Sequence, residues 1–365
     1  MGNVMRVFGS RISYYTGKLE TYLRFRSIDY ELLPTVGNER ELLAGAGVVQ
    51  MPVVQLDDGR WLTDSTPILA WLDARQDAPS IYPEDPALRF LALLLEDYAD
   101  EWLWRPAMHH RWSHRQDHQY ASGLLADELL GHMRWVPRFV KRFLIGRRQL
   151  GGFVRGDGVN DATRAHVEQG YSTALDRLEE IFTLRPFVLG RAPTIADFGL
   201  MGPMLRHFGQ DPTPAEIMRS RAPAVYEWVA RMWNLRPTGE PPALLAEVDA
   251  PLAALLVEVC ETHLVQLREN AVAYERGLAR HDQEVQGCRY TKVPTSRYRV
   301  WCLEQLRGEW RALDDGARRE LRALLPEPHA AVLWDETAPA ASGYDPERRA
   351  PFNRGINVFG TGVPR

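Results

Sequence analysis

The stretch Gln50 to Leu72, QMPVVQLDDGRWLTDSTPILAWL, most constrains what this chain can fold into, because it reads as strand, tight turn, strand and helix in immediate succession. Pro52 has no N–H to donate and suits the first residue of a strand, Val53 to Leu56 supply β-branched and apolar residues, and Asp58-Gly59 is a hairpin signal. Trp61 to Thr63 is the return strand. Ser65 or Thr66 offers a hydroxyl cap, and Pro67 stands where a helix tolerates a missing N–H. The helix therefore opens directly after the strand. Its free N–H groups and positive dipole end at Ser65 and Thr66 form an anion site, with the Asp64 carboxylate beside it for a cation. Carboxylate and ammonium together are the head group of an α-amino acid.

The elements before this stretch extend the pattern. Met5 to Phe8 is a short apolar strand, Gly9 to Tyr15 a loop, Lys18 to Arg26 a helix, Asp29 to Leu33 a second strand and Asn38 to Ala44 a short helix closed by Gly45. A right-handed crossover makes the first two strands parallel. With the Met51-Pro52 step and the Asp64-Ser65 pair, this order resembles the glutathione transferase superfamily over residues 1 to about 83. The resemblance implies a thioredoxin-like domain at 1–83, a cis bond at Met51-Pro52, γ-glutamyl binding by Asp64 and Ser65, and backbone pairing of Met51 with the cysteinyl part of glutathione. It makes Met51, Pro52, Asp64, Ser65 and Thr66 the glutathione-binding set, with Arg40 for the glycine carboxylate.

Tyr82-Pro83-Glu84-Asp85-Pro86 reads as a linker. Beyond it the apolar spacing turns helical over Pro86 to Trp104, 121–147, 161–184, 194–207 and 223–234, which gives an all-α domain at 86–236. Thr194 and Asp197 have the spacing of a capping box, which the superfamily carries for structural reasons. The fold class is thus α/β plus all-α, followed by a helical and irregular extension at 237–365. In that extension Ala243 to Asp282, 298–307 and 315–325 have helical spacing. The tail from Tyr344 to Gly360, with Phe352, Ile356, Val358 and Phe359, is expected to lie against the body or across a subunit contact, its Arg348, Arg349 and Arg354 pairing with acids there.

Charge excludes more than it selects. With 44 basic and 48 acidic residues there is no electrostatic footprint for nucleic acid or an anionic membrane, so a small-molecule or protein partner is favoured, and no run reads as a bilayer span. Cys260, Cys288 and Cys302 have no close pairing, which suggests a reducing, cytoplasmic compartment and neither a disulfide scaffold nor zinc. The lack of cysteine before position 260 speaks against thiol exchange by an enzyme thiolate.

A glutathione enzyme must ionise a thiol of pKa near 8.5, and each unit of depression needs about 1.4 kcal/mol. Against the family pattern Ser-Pro-Tyr-Cys-x-Lys, Ser13 falls on the activating serine, Tyr14 replaces the proline and Thr16 the cysteine. Ser13 is therefore the first candidate and Tyr14 the second, with Tyr15 a competing hydroxyl. Ser13 serves equally as a cap for the following helix. Tyr98, Trp102, Trp104 and Met108 are candidate contacts for a small apolar or aromatic electrophile, or alternatively core packing. His110, His114 and His118 stand at i, i+4, i+8, but Pro106 interrupts the stretch and no metal motif is matched, so no metal is expected. Two functions follow from the resemblance: a homodimeric transferase using glutathione as co-substrate, or a non-catalytic binding or assembly module of the same fold.

Overall fold

The computed structural model describes residues 4–131, 133–237, 243–335 and 341–355. The chain begins with β1 (Met5–Phe8), α1 (Tyr14–Phe25), β2 (Tyr30–Leu33), α2 (Glu39–Gly45), β3 (Val53–Gln55), β4 (Trp61–Thr63) and α3 (Ser65–Asp73). The strand order is β2-β1-β3-β4, with β1 and β2 parallel and the other pairs antiparallel. This is the thioredoxin-like arrangement. Period-two alternation covers both faces: Val7, Val54 and Leu62 pair on one, and Phe8 and Val53 pack with Leu42 of α2 on the other. Each such side chain contributes about 1.5–3 kcal/mol by leaving water. Gly59, at φ 84°, makes the hairpin turn.

The helical part contains α4 (Pro86–Asp97), α5 (Trp104–Ser113), α6 (Arg115–Leu130), α7 (Arg138–Gln149), α8 (Arg164–Leu184), α9 (Ile195–Pro203), α10 (Pro212–Arg221) and α11 (Pro223–Asn234). Two departures from the expected helices matter. The helix from Pro86 widens into a π turn at Tyr98–Trp102 before α5, and the single helix expected at 121–147 is two, separated by a turn that ends at Pro137. The capping box forms as expected, with the buried Asp197 accepting from the N–H groups of Thr194 at 2.9 Å and Val188 at 3.0 Å. Asp197 is structural, and burial raises its pKa to about 6.

The extension is not simply helical. α12 (Ala250–Val259) continues through a π turn into α13 (Val265–Glu275), and then comes a hairpin, β5 (Arg280–Val285) and β6 (Cys288–Pro294), where a helix to Asp282 was expected. His281, Gln283 and Val285 are the buried residues of β5; two of the three are polar, which hid the alternation. α14 (Arg297–Ala312) and α15 (Asp315–Leu324) follow and pack on α4. The continuous helix Ala250–Glu275 is long and apolar enough to cross a bilayer, against expectation, but 67% of its most apolar stretch is buried inside the protein. Its polar side chains are used: His263 bonds Asp97 at 2.7 Å, and Asn270 exchanges two hydrogen bonds with the backbone of Ser296.

The tail returns to the first domain. The Thr63 N–H donates to Pro351 O at 2.9 Å, so the tail covers the edge of β4, and the Gly355 N–H donates to Ala46 O at 2.8 Å. Phe352 packs edge-on against Trp71. Among the described residues the expected ion pairs with the body are not seen: Arg349 pairs with Glu347 within the tail, and Arg354 reaches the carbonyl of Leu43. Ile356, Val358 and Phe359 lie outside the described residues.

Candidate functional site

A cavity of about 180 Å³ lies where the two domains and the extension meet. One wall is the first domain: Tyr15, Gln50 to Pro52, Asp64 and Ser65. A second comes from the helical domain, through Glu101, Trp104, Gly152, Phe153 and Asp157. The extension closes it with Pro294 to Ser296, Tyr298, Arg299 and Tyr344. Tyr298 also borders a larger cavity of about 890 Å³ between α3, α4 and α14, and so separates the two.

The centre of the site is Asp64. It caps α3 in the left-handed region, at φ 72°, and its Oδ1 accepts from the Thr66 N–H at 3.3 Å. The Tyr298 hydroxyl lies 3.0 Å from both carboxylate oxygens, and the Tyr344 hydroxyl donates to Oδ2 at 3.5 Å. Burial pushes the Asp64 carboxyl up to about 7, with the Tyr298 hydrogen bond and the Lys18 charge acting the other way. The group is thus poised to change charge near neutrality. Met51-Pro52 is cis, and both residues line the same cavity as Asp64 and Ser65.

Below Asp64 is an inter-domain network. The Lys18 ammonium, fully buried in α1, bonds Asp100 at 2.5 Å, the Thr66 hydroxyl at 3.0 Å and the Glu96 carboxylate. Burial opposes its charge, but Asp100 and Glu96 outweigh that and raise its pKa. The π turn places consecutive residues in different networks: Asp100 goes to Lys18, while Glu101 turns to the cavity and pairs with Arg299 at 3.0 Å. Glu101 is likewise pushed up to about 7, chiefly by burial. Carbonyls of the same turn accept from the Tyr14 hydroxyl, at Ala99, and from the Tyr15 hydroxyl, at Asp100 and 3.1 Å.

Of the residues singled out in the sequence, Met51, Pro52, Asp64, Ser65 and Trp104 are brought together. Apart from Tyr15, the remainder lie elsewhere. Ser13 caps α1, its hydroxyl accepting from the Thr16 N–H at 3.4 Å. Tyr14 is buried, and Tyr15, stacked on Trp104 with ring centroids 5.7 Å apart, takes the place on the cavity wall. Thr66 faces Lys18 and the second cavity, and Arg40 is exposed on α2. Tyr98, Trp102 and Met108 belong to the hydrophobic core. Glu101, Arg299, Tyr298 and Tyr344 were missed as cavity-lining groups because contacts made across 198 to 280 residues leave no local pattern.

The histidines separate. His110 and His114 stack at 5.1 Å, but the close set of possible ligands is His109, His114 and Glu168, whose atoms lie within 4.8 Å of one another. His109 is already bonded to Glu168 and Ser113, each at 2.9 Å.

Residues 7–80 match the family model described as glutathione S-transferase, N-terminal domain, and residues 161–231 match glutathione S-transferase, C-terminal domain. A probable glutathione S-transferase of Solanum tuberosum is 26% identical over 99 residues, covering 27% of this chain and 46% of that protein. The chain thus spans less than half the length of this curated relative. Among solved structures, a glutathione S-transferase from Rhodospirillum rubrum F11 is 20% identical, with 68% of this chain and 95% of that one covered at a TM-score of 0.42. Another from Methylobacillus flagellatus KT, solved with glutathione bound, is 17% identical, with 65% and 100% covered at a TM-score of 0.39.

Proposed function

The chain belongs to the glutathione transferase superfamily, and from that premise we propose that it binds glutathione in the cavity around Asp64 and joins the glutathione thiol to a small apolar or aromatic electrophile. The observation that carries this reading is the half-buried Asp64 carboxylate at the start of α3, with Ser65 and the cis Met51-Pro52 step on the same wall. The γ-glutamyl ammonium pairs with Asp64, its carboxylate meets the Ser65 hydroxyl and the N-terminal end of α3, and the cysteinyl backbone runs beside Met51. Trp104 and Phe153 offer the electrophile an apolar surface.

In the reaction the thiol gives its proton to solvent, the sulfur forms a bond to an electrophilic carbon, and either a leaving group departs with its electron pair or a multiple bond takes up the electron pair and then a proton from solvent. Ser13 and Tyr15 are the two hydroxyls to weigh for stabilising the thiolate. Tyr15 lines the cavity; Ser13 caps α1 just before it. Absorbance titration of the bound thiolate separates them, because loss of the acting hydroxyl, in Ser13→Ala or Tyr15→Phe, raises the thiol pKa by about one unit. No rise in either variant moves the role elsewhere.

A second reading, a binding module without turnover, is favoured by one feature. Tyr298 and Tyr344 already hydrogen-bond the carboxylate that the ammonium needs. A chain that retains glutathione but fails a panel of aryl halide and enone electrophiles fits that alternative.

A further inference from the structure

The turn before α7 and α7 itself carry bulky apolar side chains that point into solvent. Trp135 is 98% exposed, Phe139 74%, Phe143 62% and Leu144 49%. Single exposed apolar residues are ordinary, but a contiguous group of this size marks a surface that meets a partner. The group is held by the fold. Lys141, Ile145 and Gly146 form the buried side of α7, which packs on α6 so closely that a Cβ at Gly146 would lie 2.1 Å from His118 Nε2. Phe139 and Phe143, one turn apart, therefore project from a helix fixed on its opposite side.

Charge identifies the partner. Between Glu128 and Asp157 the chain has seven Lys or Arg residues and no Asp or Glu, although the whole protein is net −4. The acid facing this stretch from α6 is Asp127, which pairs with Arg138 at 2.5 Å, while Glu128 is taken by the Ser10 hydroxyl at 2.8 Å. Arg134, Arg147 and Arg148 are exposed alongside the apolar group. A second copy of this face would bring like charge against like. A surface that is anionic at its headgroups and apolar beneath satisfies both components, as for helices that lie in the membrane interface.

We propose that the α7 face docks this protein on membrane surfaces rich in anionic lipid, with Trp135, Phe139 and Phe143 entering the interface and the arginines meeting the headgroups. The inference does not depend on glutathione binding. It departs from the expectation drawn from overall charge, since balanced totals conceal a sorted distribution. It also orients the cavity. α7 runs directly into the π segment Leu150–Val154, whose Gly152 and Phe153 form part of the cavity wall. A docked α7 brings that wall close to the lipid, where apolar electrophiles concentrate.

Cosedimentation of the full chain with vesicles tests the proposal. The chain is expected to bind vesicles of phosphatidylcholine containing about one-third phosphatidylserine, to bind phosphatidylcholine alone far less, and to be released as salt screens the charges. The triple variant Trp135→Ser/Phe139→Ser/Phe143→Ser and the pair Arg147→Glu/Arg148→Glu should each weaken binding about tenfold or more, with unchanged circular dichroism because all five side chains are exposed. Failure of the wild type to bind the anionic vesicles overturns the proposal. So does a triple variant that binds as well as wild type. A wild type that stays off vesicles but is a dimer by light scattering, with the triple variant monomeric, shows that the face joins copies of this chain instead.

Discussion

Residues 50–72 and residues 280–355 meet on one carboxylate, yet they reach it by opposite routes. In the first region each element follows from its own residues: Pro52 opens a strand, Gly59 turns it, and Asp64 caps the next helix. In the second, polar residues face inward and the important contacts cross more than 200 positions, as from Tyr298 and Tyr344 to Asp64. The difference shows how the site divides its labour. A local motif supplies the acid, and a remote segment hydrogen-bonds it and walls the cavity around it.

The largest effect is expected where the first region is joined to the π turn. Lys18→Met leaves Glu96 and Asp100 buried without their cation and should cost about 3–5 kcal/mol in denaturant unfolding. A loss below about 1 kcal/mol would mean that the domains are joined elsewhere.

Next is the cost of holding Asp64 ready. Because its folded pKa is raised to about 7 from an unfolded value near 3.8, the folded chain binds more protons between those values, and stability falls as pH rises through that window. Asp64→Asn removes this penalty. The variant should gain about 2–4 kcal/mol over wild type at pH 8 and almost nothing near pH 4, read from melting curves at both. A pH-independent difference would show that the carboxylate is not penalised.

The smallest effect sharpens the division itself. Tyr298→Phe removes a hydrogen bond that competes with a ligand ammonium, worth about 1 kcal/mol, so glutathione should bind several-fold more tightly. Weaker binding would instead make Tyr298 part of the binding surface.

Legibility follows the same line. The order of the first elements, the hairpin and the capping box at Thr194 were readable because short-range geometry dictates them, and the grouping of Met51, Pro52, Asp64 and Ser65 was implied by the family resemblance. The β5–β6 hairpin was not, since His281 and Gln283 point inward and its turn is Gln286-Gly287, outside the usual Asn-Gly and Asp-Gly signals. Nor could spacing separate Trp104, on the cavity wall, from Tyr98, Trp102 and Met108 in the core. The π turn shifts the phase of the helix between them, and an apolar stripe looks alike in either place.

Calorimetry of glutathione binding from about pH 6 to pH 8, on wild type and Asp64→Asn, tests the central claim most directly. If Asp64 holds the γ-glutamyl ammonium, wild-type affinity rises across this range as the carboxyl of pKa about 7 ionises, and binding at the lower end releases a proton to the buffer. The Asn variant should bind about tenfold more weakly or worse, without that pH dependence. Equal affinity in the two proteins, or a wild-type affinity that does not change with pH, would contradict the account.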